Sequence, residues 1–453
     1  MSHRNARRQL QKHSLWPASG LATGIAVRAQ KAVKPGETAL ARISNKTLVR
    51  SILLTSMMRR NWIMGPSLKF LEMVATAKGT LLNADRNPVL NRLLRWTIYN
   101  HFCAGSNKGQ VARSMAEVKR LGYQGVILGH AKEVLLDPEA GDVHASDHKY
   151  GPACYRMVEE WKQSNLETLR MLQPGDFLSV KLTGAGPICL DAMQARKPMP
   201  QVLVEAVHEL CTETKKRGSR LWIDAEQQIL QIGLDNWVIE IMRRYNHSGE
   251  ALIYNTIQAY LKGARRNAAR HVTLAAREGW TVGVKLVRGA YIEHDVRSLI
   301  HDTKEETDDS YDDIAEMMIS RQLPPCEDPD KLQFPSAALF LATHNQASAI
   351  KAIATHRLRI ANGLPTTKLE CGQIYGMADE LSCALLASCE ECTVDASVKS
   401  SVAPGVFKYL PWGSVGECMG YLHRRAIENR GAVERTRHMV DALKKELYRR
   451  VLG

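Results

Sequence analysis

The spacing of apolar residues divides the chain at about residue 100. Before that point, positions 48 to 77 show apolar residues at helical spacing, interleaved with arginine and lysine. Two interpretations fit this stretch. It is either a pair of helices packed on the main domain or a basic amphipathic element that lies on an anionic lipid surface.

Beyond residue 100, short apolar and β-branched runs alternate with longer segments of helical periodicity. The eight runs that we predict to be strands are Gly125–Leu128, Phe177–Leu182, Arg220–Ile223, Leu252–Thr256, Val282–Val287, Leu339–Thr343, Leu369–Tyr375 and Val406–Leu410. Parallel strands need helical crossovers and eight of them close a sheet, so the pattern predicts a (β/α)8 barrel. An open doubly wound sheet is the alternative, but the best match to its glycine fingerprint, at residues 184–189, lacks the third glycine.

The composition is that of a folded protein. Of the 453 residues, 45% are hydrophobic and 24% are charged, which argues against disorder along most of the chain. No apolar run approaches the length of about 18 residues that a membrane-spanning helix needs. The ten cysteines are irregularly placed and indicate a reducing compartment. Cys389 and Cys392 have redox-type spacing, but no second Cys/His pair lies nearby, and we expect no metal site.

The net charge of +14 comes entirely from the N-terminal part of the chain. Residues 1–100 contain 17 of the 61 basic residues and 3 of the 47 acidic ones, so the rest of the chain is balanced at 44 of each. We expect residues 1–45 to be a disordered basic mitochondrial targeting segment, 46–100 a helical arm and 101–453 the barrel. A basic arm on a neutral body argues against a nucleic-acid partner. A non-enzymatic protein that docks on acidic membranes or RNA is one alternative.

Polar residues lie at or just beyond the ends of seven of the eight predicted strands. They are Lys181, Asp224, Gln258, Lys285 with Arg288, His344 with Asn345, Gln373 and Tyr409. Because the C-terminal ends of barrel strands meet at one mouth, we expect these side chains to form a site there. Two lysines at strand ends would also suit a Schiff-base aldolase.

The segment after the eighth strand contains a further cluster. On a helix, Tyr421, Arg424, Arg425 and Glu428 have the spacing i, i+3, i+4 and i+7 and share one face. Paired guanidinium groups with a carboxylate would bind a small zwitterion, since the guanidinium fork fixes the orientation of a carboxylate. An ordinary solvated face with an Arg–Glu pair is the alternative.

Several strings occur together and in order along the chain. They are Asn83-Ala-Asp-Arg-Asn-Pro88, Phe102-Cys-Ala-Gly105, Gly125-Val-Ile-Leu-Gly129, Trp222-Ile-Asp-Ala-Glu226, Val284-Lys-Leu-Val-Arg-Gly-Ala-Tyr291, Ala342-Thr-His-Asn345, Gly372-Gln-Ile-Tyr-Gly-Met377 and Tyr421-Leu-His-Arg-Arg-Ala-Ile-Glu-Asn429. The set resembles the motifs of proline dehydrogenase (proline oxidase), in its fungal-type mitochondrial form, from about residue 80 to residue 435.

The resemblance implies a distorted TIM-type (β/α)8 barrel with an N-terminal helical extension. It also implies FAD-dependent oxidation of L-proline to Δ1-pyrroline-5-carboxylate, with hydride transfer to flavin N5 and electrons passed to a membrane quinone. Hydroxyproline is the alternative substrate. The implied location is mitochondrial, on the matrix side of the inner membrane, with possible peripheral membrane contact.

The resemblance also implies roles for individual residues. Lys181, Arg424 and Arg425 would hold the proline carboxylate. Tyr409 and Tyr421 would wall its ring, and Asp224 and Glu428 would orient the basic groups. The residues that would contact FAD are Ala225, Gln258, Lys285, Arg288, Gly289, Ala290, Thr343, His344, Asn345 and Gln373.

Overall fold

Eight parallel strands form a closed barrel in the computed structural model. The structure describes residues 38–131, 150–325, 332–392 and 403–452, apart from positions 59, 78, 248, 293 and 430–432. The strands are β1 (Gly125–His130), β2 (Phe177–Val180), β3 (Arg220–Ile223), β4 (Ile253–Gln258), β5 (Val282–Val287), β6 (Ala337–Ala342), β7 (Lys368–Ile374) and β8 (Gly405–Trp412). Each strand pairs with the next along the chain, and β8 pairs with β1. The predicted (β/α)8 barrel is therefore confirmed and the open sheet is excluded.

Helices surround this barrel, and further helices precede its first strand and follow its last strand along the chain. Those of the N-terminal arm are α1 (Asn45–Met58), α2 (Asn61–Thr76), α3 (Pro88–Leu94) and the short α4 (Asn100–Phe102), with a π-helical segment, Arg95–Tyr99, between the last two. The others are α5 (Lys108–Arg120), α6 (Pro152–Met171), α7 (Pro187–Gln194), α8 (Gln201–Lys216), α9 (Gln228–Tyr245), α10 (Ala264–Glu278), α11 (Lys304–Ile319), α12 (Gln346–Ala361), α13 (Asp379–Cys392), α14 (Val415–Asn429) and α15 (Val433–Leu452). Among the described residues, no helix has the length and apolarity needed to cross a bilayer.

Aromatic side chains close the interior of the barrel below its mouth. Side chains of a strand alternate between its two faces, so every second residue points inward. The ring of Phe177 lies 5.1–5.5 Å from the rings of Trp222, Tyr254, Phe340 and Phe407, between centroids. This layer fills the lower interior. The polar residues at the C-terminal ends of the strands consequently lie above an apolar floor.

Helix α14 does not flank the barrel as an ordinary crossover helix would. It packs against α2 and the Arg95–Tyr99 segment of the arm. Asp85, from the loop before α3, accepts hydrogen bonds from Ser414 Oγ at 2.7 Å and from the Gly416 amide at 3.1 Å. The Tyr99 hydroxyl donates to the Gly413 carbonyl at 2.6 Å. The arm therefore fixes the N-terminal end of α14.

The first two helices of the arm pack on the C-terminal part of the chain. The predicted stretch from residue 48 to 77 forms two helices, of which α1 packs on α15 and α2 on α14. A short 3-10 helix, Ala39–Arg42, precedes them, and Leu40 and Ile43 are buried. Residues 38–45 of the segment 1–45 assigned to targeting thus belong to the described structure. Residues 1–37 lie outside the described residues.

Candidate functional site

A cavity of about 270 Å³ lies at the C-terminal mouth of the barrel. The candidate residues that line it are Lys181, Asp224, Ala225, Lys285, Arg288, Gly289, Ala290, Thr343, His344, Asn345, Gln373, Tyr409, Tyr421 and Arg425. These come from β2, β3, β5, β6, β7, β8, the loops after them, and α14. Most of the residues picked out from strand ends are therefore brought together in one place.

A buried carboxylate links two lysines from different strands. Lys285 Nζ lies 2.5 Å from Asp224 Oδ1, and Lys181 Nζ lies 3.6 Å from Asp224 Oδ2. Ser179 Oγ donates a hydrogen bond to Asp224 Oδ2 at 2.9 Å. Lys285 also lies over the Trp222 ring, with its nitrogen 4.4 Å from the ring centroid. The carboxylate thus sets the positions of both ammonium groups at the base of the cavity.

The cluster shifts the pKa of each member. Burial by itself would raise the pKa of Asp224, but Lys285 and Lys181 outweigh it and hold that pKa at about 2. Burial lowers the pKa of Lys285, and Asp224 offsets part of this. For Lys181, burial acts downward, but Tyr291, Asp224 and Glu226 together raise its pKa above the ordinary value. Asp224 is therefore a carboxylate at neutral pH and acts as a fixed negative charge.

A second set of contacts holds Lys181 from its other side. Lys181 Nζ donates to the Tyr291 hydroxyl at 3.3 Å, and that hydroxyl lies 3.3 Å from Glu226 Oε2. Thr183 Oγ1 donates to Glu226 Oε1 at 2.9 Å. Burial raises the pKa of Glu226, against the opposing effects of Lys181 and Thr183. Tyr291 and Glu226 thereby position the lysine without lining the cavity.

The cavity lining also contains an arginine that is held in a fixed direction. Arg288 Nη2 lies 2.7 Å from Asp308 Oδ1, and Arg288 Nη1 donates to Thr343 Oγ1 at 2.8 Å. Thr343 Oγ1 also accepts from the Asn345 amide at 3.0 Å. The Asn345 side chain caps α12 by accepting from the Ser348 amide at 3.2 Å. These residues offer cationic and polar groups, which suit a ligand with anionic oxygens.

Gln258 acts from below the cavity. It is buried and is not among the lining residues. Its side chain donates to the Glu226 carbonyl at 3.1 Å and accepts from the Ala290 amide at 3.2 Å. It therefore fixes the Gly289–Ala290 backbone that does line the cavity. Gln373 acts similarly: it donates to the Thr343 carbonyl at 3.3 Å and accepts from Ser382 Oγ at 2.9 Å.

Two tyrosines and an arginine cover the cavity on the α14 side. The rings of Tyr409 and Tyr421 are stacked, 6.4 Å apart and inclined by 27°. The guanidinium of Arg425 lies 5.5 Å from the centre of the Tyr421 ring. Burial and the charge of Asp224 raise the pKa of Tyr409 to about 12, so its hydroxyl stays protonated. The three side chains give the site an apolar wall with one cation at its edge.

The two adjacent arginines differ in position. Arg425 lines the cavity, whereas Arg424 is half-buried on the same helix and is not among the lining residues. The side chain of Glu428 lies outside the described residues, although its backbone belongs to α14. Of the two arginines that were predicted to bind one ligand, Arg425 is therefore the one that lines the cavity.

Sequence reasoning gave no role to several residues of the site. Trp222 and Phe340 form part of the cavity floor, and Thr256 also lines it. Trp222 lies on β3, and Asp224 directly follows that strand. Because alternate residues of a strand point to the same face, the sequence could have predicted that both side chains lie on the same side of β3. Tyr291 contacts Lys181, and Asp85 contacts the start of α14. Both lie in strings quoted for the family resemblance, but no local pattern predicts contacts with such distant parts of the chain.

The chemistry of this lining suits a planar ring system with an anionic group. The Trp222 and Phe340 rings supply an apolar surface, and Lys285, Arg288 and Arg425 supply positive charge around it. The indole N–H of Trp222 has no hydrogen-bond partner among the described residues. Those residues hold no group of three or more His, Cys, Asp or Glu side chains placed to bind a metal ion.

Comparison with known proteins decides the family. A family model for proline dehydrogenase matches residues 111–438. The chain belongs to the proline dehydrogenase family. Its resemblance to that family is thus confirmed. The alternative of a Schiff-base aldolase, which the two lysines at strand ends also suggested, is not favoured.

Curated relatives match more than half of the chain. A probable mitochondrial proline dehydrogenase of Schizosaccharomyces pombe is 28% identical over 410 residues, covering 80% of this chain and 81% of that protein. Mitochondrial proline dehydrogenase 2 of Arabidopsis thaliana is 27% identical, covering 91% and 90%. Bovine hydroxyproline dehydrogenase is 32% identical over 276 residues, covering 58% and 54%. Relatives that are named proline dehydrogenase and one that is named hydroxyproline dehydrogenase are therefore both similar to this chain.

Among solved structures, proline utilization A of Bdellovibrio bacteriovorus has the same barrel fold. It superposes with a TM-score of 0.63 at 14% identity, over 91% of this chain. This chain corresponds to 41% of that longer protein. At this identity the likeness concerns the fold alone.

The Tyr409 wall depends on a glycine in β1, and a substitution tests this. A Cβ atom at Gly129 would lie 2.5 Å from the Tyr409 hydroxyl and 3.3 Å from Ser179 Cβ. We expect Gly129→Ala to displace the ring and to lower the free energy of unfolding by about 1–3 kcal/mol, measured by urea denaturation.

The matched control is Gly420→Ala on α14. Its Cβ would meet nothing within 4 Å, and alanine suits a helix better than glycine. Its free energy of unfolding should be unchanged or slightly higher. Equal stability of the two variants would contradict the close packing of Tyr409 on β1.

Proposed function

We propose that this family member is an FAD-dependent enzyme that oxidises L-proline to Δ1-pyrroline-5-carboxylate. One observation carries the proposal. Most of the residues that family resemblance assigns to the carboxylate of proline and to FAD line a single cavity, among them Lys181, Arg425, Lys285 and Arg288. Proline loses two electrons and two protons in this reaction. Such a transfer needs the substrate beside the cofactor, so one cavity must bind both the carboxylate of proline and the cofactor.

Lys181 and Arg425 are the groups that would bind the substrate carboxylate. Both line the cavity, and Lys181 is held by Asp224 and Tyr291. An ion pair with two fixed cations would restrict the ring of proline to one orientation. Tyr409 and Tyr421 would pack on the ring and exclude water from it. Positioning of this kind can contribute about 7–11 kcal/mol to the lowering of a barrier in favourable cases.

The residues available for FAD fit its chemistry. Trp222 and Phe340 offer an apolar surface, and Lys285 and Arg288 offer positive charge that would favour anionic groups of the cofactor. Thr343, Asn345 and the Gly289–Ala290 backbone would supply hydrogen bonds at the rim. When bound, FAD would supply the two-electron acceptor for the hydride that proline loses.

The remaining parts of the proposal concern electron transfer and location. We propose that a membrane quinone takes the electrons from the enzyme and that the protein works in mitochondria, at the matrix side of the inner membrane. The names of the relatives support the location, since the fission yeast and Arabidopsis proteins are called mitochondrial. The excess of basic residues in the N-terminal hundred residues supports it as well.

Hydroxyproline is the second candidate substrate. The similarity to bovine hydroxyproline dehydrogenase favours keeping it. The two substrates differ by one hydroxyl, which would meet carbon and no hydrogen-bonding group if it packed on the ring faces of Tyr409 and Tyr421. A buried hydroxyl without a hydrogen bond costs about 1–3 kcal/mol, so we propose proline as the preferred substrate.

The optical spectrum of the purified protein tests the proposal. We expect a yellow protein whose flavin absorbance is bleached by L-proline under anaerobic conditions, because the bound flavin takes both electrons. trans-4-Hydroxy-L-proline should bleach it more slowly. A protein that remains colourless after incubation with FAD, or a flavin that L-proline does not reduce, would contradict the proposal.

Arg425→Met tests the carboxylate site. Removing one partner of a desolvated ion pair costs about 2–5 kcal/mol, so we expect kcat/KM for L-proline to fall at least about 30-fold. The matched control is His423→Gln, on the same helix but not among the residues that line the cavity. Unchanged kcat and KM in Arg425→Met, or equal losses in both variants, would contradict a role of Arg425 in binding proline.

A further inference from the structure

Another cavity lies beside the mouth cavity and shares part of its lining. It has a volume of about 230 Å³. Lys181, Asp224 and Tyr409 line both cavities. We call the second cavity the side chamber, and its lining also includes His130, Ser164 and Glu417. The two cavities therefore meet at the cluster beside which proline would bind.

The side chamber contains a histidine held between a carboxylate and a hydroxyl. His130 ends β1, and its Nε2 lies 3.5 Å from Oε2 of Glu417 on α14. Its Nδ1 lies 3.0 Å from Oγ of Ser164 on α6. The ring also packs on that of Trp412, 4.8 Å away between centroids. With the Nε2 proton directed at the carboxylate, Nδ1 is the atom that can accept a further proton.

Glu417 supplies negative charge to this histidine. The hydrogen bond from His130 lowers the pKa of Glu417 to about 2 against the effect of burial, and the Ser414 amide, which donates to Glu417 Oε2 at 2.8 Å, adds to the lowering. Glu417 is therefore a carboxylate at neutral pH and favours the protonated form of the imidazole beside it. Glu160 of α6 adds a further acidic group to the chamber lining, which Lys181 opposes with positive charge.

Oxidation of proline releases a proton from the ring nitrogen. In the substrate this nitrogen is an ammonium group, and its electron pair is held in an N–H bond. When a base takes that proton, the electron pair can form the C=N bond as the neighbouring C–H bond breaks and its electrons pass to the flavin. The proton and the hydride together account for the two protons and two electrons that proline loses.

The ionisable groups that the two cavities share do not suit the role of this base. The pKa of Asp224 is about 2, that of Tyr409 is about 12, and that of Lys181 is raised above its ordinary value. At neutral pH the first has little affinity for a proton, and the other two already hold theirs. In the mouth cavity, Lys285 Nζ is paired with Asp224 at 2.5 Å, and His344 Nε2 accepts a backbone hydrogen bond at 3.2 Å.

We propose that His130, paired with Glu417, takes up the proton that the ring nitrogen of bound proline loses, through water in the side chamber. Transfer to Nδ1 would cost no hydrogen bond, since the hydroxyl of Ser164 can turn from donor to acceptor. A polar cavity of about 230 Å³ has room for several water molecules. The side chains of His130 and Glu417 are 20% and 33% exposed, so the proton can pass on to bulk water. The inference rests on the proposed function, because this proton is released only if proline is oxidised.

Anaerobic stopped-flow measurement of flavin reduction by L-proline tests the inference. We expect His130→Gln to be reduced at least about tenfold more slowly than the wild type at pH 7. General bases typically contribute about 10²–10⁴-fold, and water can replace part of that contribution. Inhibition by cyclopentanecarboxylate, which has the ring and the carboxylate but no nitrogen, should be unchanged in this variant.

The pH dependence separates a proton acceptor from a structural histidine. We expect the wild-type rate of flavin reduction to fall as the pH is lowered from 8 to 5, the range in which histidine side chains ordinarily take up a proton. In His130→Gln this fall should be smaller, because glutamine does not titrate. Glu417→Gln should slow the reaction less than His130→Gln, since it keeps a polar contact with the ring but removes the charge.

Added imidazole gives a third readout. His130→Ala opens a space of the size of an imidazole ring in the wall of the side chamber, so we expect free imidazole to restore part of the rate in this variant. The matched control is His423→Ala, on α14 but not among the residues that line either cavity. It should react at the wild-type rate, and imidazole should leave that rate unchanged.

Three outcomes would count against the inference. Equal rates in the wild type and both His130 variants would overturn it and leave the proposed function standing. So would a loss that imidazole does not restore in His130→Ala, together with an unchanged pH dependence in His130→Gln, because the histidine would then act through its packing on Trp412. A wild-type flavin that L-proline does not reduce would contradict the proposed function, and the inference would fall with it.

Discussion

A negative charge enclosed at the mouth of the barrel is the constraint on which the site depends. Asp224 follows β3 and contacts lysines that come from β5 and from just beyond β2. A buried ammonium group is costly without a counter-charge, so neither lysine could remain at this depth alone. The carboxylate therefore decides where two of the cavity's cations stand. The aromatic layer beneath them closes the interior of the barrel, so the mouth is a cavity with a floor and not an open channel.

The barrel does not complete this site unaided. Tyr421 and Arg425 reach the cavity because α14 is held over the mouth, and Asp85 and Tyr99 of the N-terminal arm fix the start of that helix. Residues more than 300 positions apart in sequence thus define one wall. The arm therefore helps to hold the site together through its packing.

The sequence predicted the barrel and most of the mouth for clear physical reasons. Apolar runs separated by helical segments imply parallel strands, and strand ends of a closed barrel must converge, so Lys181, Asp224 and Lys285 could be grouped before any coordinates were known. Trp222 and Phe340 were missed because aromatic residues in a strand look like core residues. Arg424 and Arg425 could not be distinguished, since adjacent helical positions differ by about 100° and only the tilt of α14 decides which one faces the cavity.

The pH dependence of stability in Asp224→Asn tests the central claim most directly. The pKa of Asp224 is lowered from 3.8 to about 2 on folding, so its charge stabilises the fold above about pH 4, and this contribution is lost as the pH falls through 2. We predict that the variant unfolds in urea with a free energy about 3–5 kcal/mol below that of the wild type at pH 7, and that the difference shrinks as the pH approaches 2. A difference that is absent at pH 7, or equally large at both ends of that range, would contradict the claim that this charge organises the site.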